Sequence, residues 1–404
     1  MKATGLLSAV VLLVVVLWLA GPTGAQEQDK PSNTPIPTTD PRPTLPATWT
    51  PTPTVVPFET PRPIPTLAPS PTPTLTPSPW PTLPPPPRAA RLTGMRLVYQ
   101  NYNRCAAAAL TMLLLYHGWT GTRDAVEQGL TPGNSDVSVR SAEMIAFVEA
   151  QNLRAVVRTG GTLDVLRQLV VGGFPVLVEN VYNPGGNDWM GHNRIVMGYD
   201  DDQHSLFTFD SVLGNGTSGN GRPIPYTDFD SLWRPFNRTY LVVYPPEAEA
   251  RVQAILGPQW NATANAEWTL QQSTADLVAD PNDPFAWFNV GTAHLTLGHA
   301  PEAVAAFERA MSIGLPWRFL WYQFGPLEAY LRVGRYQDAI ALGGRILDSS
   351  RGVEEVYYYL GQAYAALGDV QRAAGNYQQA LARNAHYTEA AIALSMLNVS
   401  AAGQ

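Results

Sequence analysis

The chain has 404 residues, a net charge of −7, and 15% charged against 45% hydrophobic residues. Its length allows two or three domains, and the absence of any basic tract excludes nucleic acid as a partner class. One cysteine, Cys105, excludes a disulfide within the chain.

The first element is an apolar run from Leu6 to Ala20 behind Lys2, with small residues at Thr23-Gly24-Ala25. A short positive end before an apolar stretch predicts a secretory signal, or an uncleaved membrane anchor, over residues 1–25. The protein is therefore expected to be exported, extracellular or at the cell surface. Residues 26–88 follow as a Pro/Thr-rich linker: 22 of the 37 prolines fall between Pro31 and Pro87. Proline removes backbone donors and holds the chain extended, so this stretch reads as a semi-rigid stalk without a core.

Residues 89–250 read as a folded α+β domain. Cys105 to Tyr116 (CAAAALTMLLLY) predicts a helix, rich in the best helix formers. Further helices are expected over Ala142–Ala150 and Leu163–Val171. Strands are expected over Pro175–Val178, Asn193–Tyr199, Ser205–Asp210 and Thr239–Val243, with Asp200 to His204 as a turn. Helices precede antiparallel strands in this reading.

Residues 251–404 read as helical repeats. Gly298, Gly334 and Gly368 recur at spacings of 36 and 34, and Ala303, Ala339 and Ala373 follow the same spacings. Trp287 and Tyr357 stand at the first aromatic position of their units, Phe307 and Tyr377 at the later one. The middle unit is irregular, with Gln323 at the first aromatic position and two extra residues. The pattern resembles tetratricopeptide repeats and implies a protein-interaction surface. A leading helix is expected over Ala262–Asp280 and a closing one over Thr388–Leu397, with Trp287, Trp317 and Trp321 packed inside.

The chemistry centres on Cys105. It is either a small buried apolar residue or a thiol kept for reaction. A helix start favours the thiolate, because free N–H groups and the helix dipole face it. Three histidines lie in the same domain. His117 ends the Cys105 helix and points away; His204 sits in an acidic turn; His192 opens an alternating strand and can face a cleft. Asp210 ends the next strand, where it either orients an imidazole or closes a turn. Gln100, five residues before Cys105, either offers an amide to the helix start or is a polar loop residue. Asp200-Asp201-Asp202 lack metal-ligand spacing, and the Gly/Asn-rich loops at Gly214–Gly221 lack a phosphate-cradle context. No metal or cofactor is expected.

Four ordered blocks resemble the bacteriocin-processing type of papain-like cysteine peptidases, a family with stand-alone exported members. They are YQNYNRCAAAALTMLLLYHGW, GGTLDVLRQLVVGGFPVLV, GHNRIVMGYDDDQHSLFTFDS and DFDSLWRPFNRTYLVVYPP, spanning Leu97 to Pro246. The resemblance implies a papain-like fold and peptide-bond hydrolysis of a peptide or protein substrate. It implies Cys105 as nucleophile, His192 as general base and acid, Asp210 as the orienting carboxylate, and Gln100 in the oxyanion hole. Ala106-Ala107 depart from the family's usual Gly-Pro or Gly-Ala after the nucleophile. An inactive, peptide-binding module that keeps the fold is the alternative.

Overall fold

The structure, a computed structural model, describes residues 83–131, 138–183, 188–350 and 352–402. The expected export segment, and the Pro/Thr-rich stretch before residue 83, lie outside the described residues.

The α+β part opens with β1 (Ala89–Arg91), then α1 (Cys105–Tyr116), α2 (Arg123–Leu130) and α3 (Ser141–Glu149). It continues through β2 (Arg154–Arg158), α4 (Leu163–Val171), β3 (Val176–Tyr182), β4 (Met190–Asp200), β5 (Ser205–Asp210), β6 (Arg222–Pro225), α5 (Tyr226–Trp233) and β7 (Tyr240–Tyr244). The described strands form one antiparallel sheet in the order β2-β7-β3-β4-β5-β6, with β1 pairing the far end of β4. Strands and helices thus interleave, where the sequence suggested helices first and strands later. The difference is β1 and β2, whose three and five residues carry too short an alternation to read, and α5, which stands between β6 and β7.

Side chains alternate across the sheet. Leu177, Ile195, Met197, Phe209, Leu241 and Val243 pack with α1, α2 and α3 in one core. Val176, Val178, Val196, Leu206, Tyr240 and Val242 pack with α4, α5 and the following helix in another. This period of two places a helical layer on each face. Helix α1 is buried continuously from Ala106 to Leu114, as an all-round apolar helix must be. Thr122 and Thr162 cap α2 and α4 by accepting from the N–H groups of Ala125 and Val165.

The remainder is helical: α6 (Glu249–Leu256), α7 (Ala262–Ala279), α8 (Pro284–Thr296), α9 (Ala300–Ile313), α10 (Gly325–Arg332), α11 (Tyr336–Ser349), α12 (Glu354–Ala366), α13 (Val370–Arg383) and α14 (Thr388–Ala402). The turns of the three pairs α8–α9, α10–α11 and α12–α13 contain Gly298, Gly334 and Gly368, with φ of +83°, +76° and +79°. Only glycine takes this left-handed conformation without strain, which is the physical content of the repeat spacing. Ala303, Ala339 and Ala373 are fully buried within the helical layer, where a small side chain lets backbones approach. Trp317 departs from the expected packing: it is 56% exposed, with the Arg318 guanidinium over its ring.

The helical part lies directly against the sheet domain. Asn265 donates to the Thr159 carbonyl (2.9 Å) and Trp268 Nε1 to the Gly160 carbonyl (2.8 Å). Arg238 bridges Asp230 and Asp276, and Arg234 pairs with Asp283 at 2.9 Å. Between these lies a seam of rings. Trp189, just before β4, stacks on Phe236 (5.4 Å between centroids) and meets Phe319 from the middle repeat at 5.4 Å. Phe319 also touches Phe285 and Phe288 of α8. It has no solvent exposure and belongs to the core of the repeats, against which Trp189 of the sheet domain packs.

Phe319→Ala should therefore cost about 3–5 kcal/mol in urea unfolding. Arg318→Ala, which removes a partly exposed ion pair to Asp188 at 2.9 Å and surface contacts with the Trp317 and Trp321 rings, should cost about 1–2 kcal/mol, well below the loss in Phe319→Ala. Equal losses in the two variants would contradict the placement of the seam.

Candidate active site

Cys105 is the first residue of α1, half-buried, and its sulfur faces the beginning of β4. The N–H groups of the first helical turn have no partner within the helix. Arg104, at the N-cap, places no side-chain bond on them. The helix start therefore presents its positive end to the thiol.

The strand β4 supplies the next two groups. His192 is buried, and its Nε2 lies 3.1 Å from Asp210 Oδ1 at the end of β5. With Nε2 committed to Asp210, Nδ1 is the ring nitrogen left for Cys105, whose thiol is electrostatically coupled to the imidazole. The neighbouring residue, Asn193, donates from Nδ2 to Cys105 Sγ at 3.6 Å. The structure thus brings Cys105, His192 and Asp210 together in one chain of contacts.

Asp210 has no solvent exposure. Its Oδ1 also accepts from the Val212 and Leu213 N–H groups (2.7 and 2.8 Å), and Oδ2 from Arg194 Nε at 2.6 Å. Arg194 lies directly opposite Asp210 in the β4–β5 register. Asn180 on β3, in the orientation its surroundings require, donates to the His192 carbonyl (3.1 Å) and accepts from Arg194 Nη1 (2.9 Å). Asp210 thus meets His192, closes the turn after β5 and also neutralises a buried guanidinium, the last of which the sequence did not announce.

These contacts set the protonation states. Burial pushes the Cys105 thiol up, but His192 and the side chain and backbone of Asn193 outweigh it and hold the thiol below its ordinary value. Burial pushes the His192 imidazole down, yet Asp210 and Cys105 together raise it to about 9. Burial acts against the charged form of Asp210, but His192 and Arg194 hold it well below the usual carboxylate range. These shifts favour the charged form of each group: thiolate on Cys105, imidazolium on His192 and carboxylate on Asp210.

A cavity of about 370 Å³ opens over the sulfur. Cys105, Ala106, Glu179, Gly191 and Asn193 line it from the sheet domain, and Thr292, Tyr322, Gln323 and Phe324 from the repeats. Glu179 lies opposite Asn193 in the β3–β4 register; burial, and then Cys105, push its carboxyl up to about 8. Gly191 is glycine for lack of room: a Cβ there would lie 3.0 Å from both the Phe236 and Tyr322 rings. Ala106 and Ala107 continue α1 with their methyls buried, so the family departure sits in regular helix.

Gln100 stands slightly apart. Its N–H donates to the Ser211 carbonyl (3.1 Å) and its Oε1 accepts from Ser211 Oγ (2.8 Å), which fixes it beside Asp210 and leaves the amide N–H groups unused by that bond. His117 packs edge-on against Tyr116 at the far end of α1, and His204 occupies the β4–β5 turn. Asp200 and Asp201 are occupied locally: Asp200 accepts from the N–H groups of Asp202 and Gln203, and Asp201 from Arg167 and Tyr226. No group of three or more potential metal ligands occurs among the described residues.

Sequence reasoning missed Asn193, Arg194, Glu179 and the Tyr322–Phe324 segment. A signal existed for Arg194, since a charged residue inside an otherwise apolar strand (NRIVMGY) requires a buried partner. The two extra residues of the middle repeat marked the Tyr322 segment, without showing what they touch.

Residues 92–241 match the Peptidase_C39 like family. No curated protein matches the chain. Among solved structures, a double glycine motif protease from an AMS/PCAT transporter, in complex with the leader peptide, is 16% identical, covering 39% of this chain and 94% of its own (TM-score 0.29). A putative C39-like peptidase from Bacillus anthracis is 16% identical, covering 38% and 96% (0.31). MamA 41-end from Desulfovibrio magneticus RS-1 is 19% identical, covering 34% and 76% (0.31). The family match, on the ordered blocks that carry the cysteine, histidine and aspartate, makes residues 92–241 a peptidase-C39-like domain, and helical repeats follow it.

Proposed function

We propose that the protein is an exported cysteine peptidase that hydrolyses peptide bonds through Cys105, His192 and Asp210. The observation that supports it is His192, buried with Nε2 on Asp210 and coupled to Cys105, which itself lines a cavity. In this mechanism the thiolate of Cys105 attacks the carbonyl carbon of the scissile bond. The oxyanion takes the Cys105 N–H at the helix start and the Gln100 amide. Asn193 Nδ2, already directed at the sulfur, is a further donor in the same space. As the C–N bond breaks, the proton on His192 passes to the leaving amine, and a thioester remains on Cys105. His192 then takes a proton from water, whose oxygen attacks the thioester; the C–S bond breaks, the acid leaves and the Cys105 thiolate beside protonated His192 is restored. Asp210 keeps Nε2 bonded throughout. Peptide or protein binding extends to the helical repeats, and export rests on the apolar segment of residues 1–25.

Three measurements test this reading. Iodoacetamide should label Cys105 in the native protein, and His192→Ala should slow labelling at pH 6.5 by up to about 100-fold, the limit set by the roughly 1% of an ordinary thiol that is ionised there. Labelling only after unfolding would instead leave a buried thiol and an inactive binding module.

The second is the pH profile. His192 must carry a proton to give to the amine, so amide hydrolysis should fall above about pH 9, where the raised imidazole loses it. Glu179 ionises beside the sulfur from about pH 8 and adds to that decline, so Glu179→Gln should move the alkaline limb upward. Alkylation should not fall there, because the thiolate persists. Parallel alkaline losses in both assays would contradict the acid role of His192.

The third concerns Asp210. Asp210→Asn leaves Arg194 buried without its counter-charge, so it should cost about 3–5 kcal/mol in urea unfolding as well as turnover. The His192 limb near pH 9 should shift downward in the surviving activity, because the carboxylate that raised it is gone. An unchanged limb would separate Asp210 from His192.

A further inference from the structure

We infer that the Tyr322–Phe324 segment of the middle repeat is the substrate-binding wall of the cleft, where Gln323 hydrogen-bonds the main chain of an extended peptide. This rests on the peptidase reading above.

The segment exists because one helix is short. Helices α8 and α12 have 13 residues each, and α10 has 8. By repeat spacing Gln323 corresponds to Trp287 in α8 and Tyr357 in α12, yet it precedes the first residue of α10. The opening turn of that repeat is replaced by an irregular stretch with a 3-10 turn at Phe319–Trp321. Both sides of Gln323 are fastened. Phe319 sits in the aromatic seam, and the Tyr322 ring packs against Trp189, Phe236 and Gly191 beside His192. Phe324 packs on Tyr359 of α12.

Gln323, half-buried between these anchors, lines the Cys105 cavity and forms no side-chain hydrogen bond with the described residues. On the sheet-domain side the same cavity is lined by Asn193 and Asn237, 9% and 7% exposed. Asn193 Oδ1 and Asn237 Nδ2 are buried without a hydrogen-bond partner. Such atoms in native folds are met by water or by a ligand, and these two line a cavity large enough for either. An acceptor on one wall, a donor beside it and a free carboxamide on the opposite wall suit the alternating C=O and N–H groups of an extended chain. These groups are common to every peptide, so the recognition is of main chain, with the sulfur beneath it.

The test compares two electrophiles on the full chain: iodoacetamide, which needs only the thiolate, and an N-capped tripeptidyl vinyl sulfone, which must also lie along the cleft. The wild type should react faster with the peptidyl probe. Gln323→Ala should slow the peptidyl probe about five- to tenfold, as loss of one hydrogen bond does, and leave the iodoacetamide rate and the melting temperature unchanged. Gln323→Glu, which keeps an acceptor but loses the donor, should fall between. No effect on either probe, an equal loss with both, or no wild-type preference for the peptidyl probe overturns the inference. Failure of iodoacetamide to label the native wild type overturns the peptidase reading instead, and the wall falls with it.

Discussion

The arrangement hinges on one buried carboxylate. Asp210 is shut off from solvent and keeps its charge only because four groups donate to it: an imidazole, a guanidinium and two backbone N–H groups. Each donor fixes a different piece of chain. Arg194 fixes the β4–β5 register, Val212 and Leu213 fix the turn after β5, and His192 fixes the cleft. Asn180 ties Arg194 and the His192 backbone to β3. A buried polar network of this kind is stabilising only when all its members are satisfied. The position of the imidazole is therefore set by the same bonds that join β3, β4 and β5 at this end of the sheet.

The thiol is set from the other direction. An apolar helix packed on all sides fixes the axis of α1, and its first residue projects beyond the core to meet β4. The beginning of β4 is in turn pressed between Phe236 and Tyr322. One ring belongs to the sheet domain and the other to a repeat, so the position of the strand end that carries His192 depends on how the two parts pack.

Much of this was legible locally. The Ala/Leu run announced α1 and put Cys105 at its start; the alternating strands carried His192 and Asp210; the glycine spacing marked turns that need a positive φ. What was not legible depends on partners distant in sequence. Asn193 reads as an ordinary strand residue until Cys105, 88 residues away, lies against it. Arg194 announces a buried partner but not which one. Gln323 looked like a defect in a repeat because the pattern describes helices and says nothing of what replaces a missing turn. Trp317 was expected inside, but its indole meets Arg318 at the surface instead.

The repeats also return to the domain they leave. Glu389 on α14 pairs with Arg140 at 2.8 Å, and Asn384 donates to Glu143 at 2.8 Å. His386 reaches the Gly129 carbonyl at 3.1 Å, and Arg140 lies over the Tyr387 ring. A stacked helical array fixed at one end behaves as a spring, since each unit touches only its neighbours. This array is held at α7–α8 by one side of the sheet domain and near α14 by α2 and α3, on either side of the cavity. It is closer to an arch than to a spring: its curvature is imposed by the span between two abutments, and bending at any one repeat must be taken up by all of them.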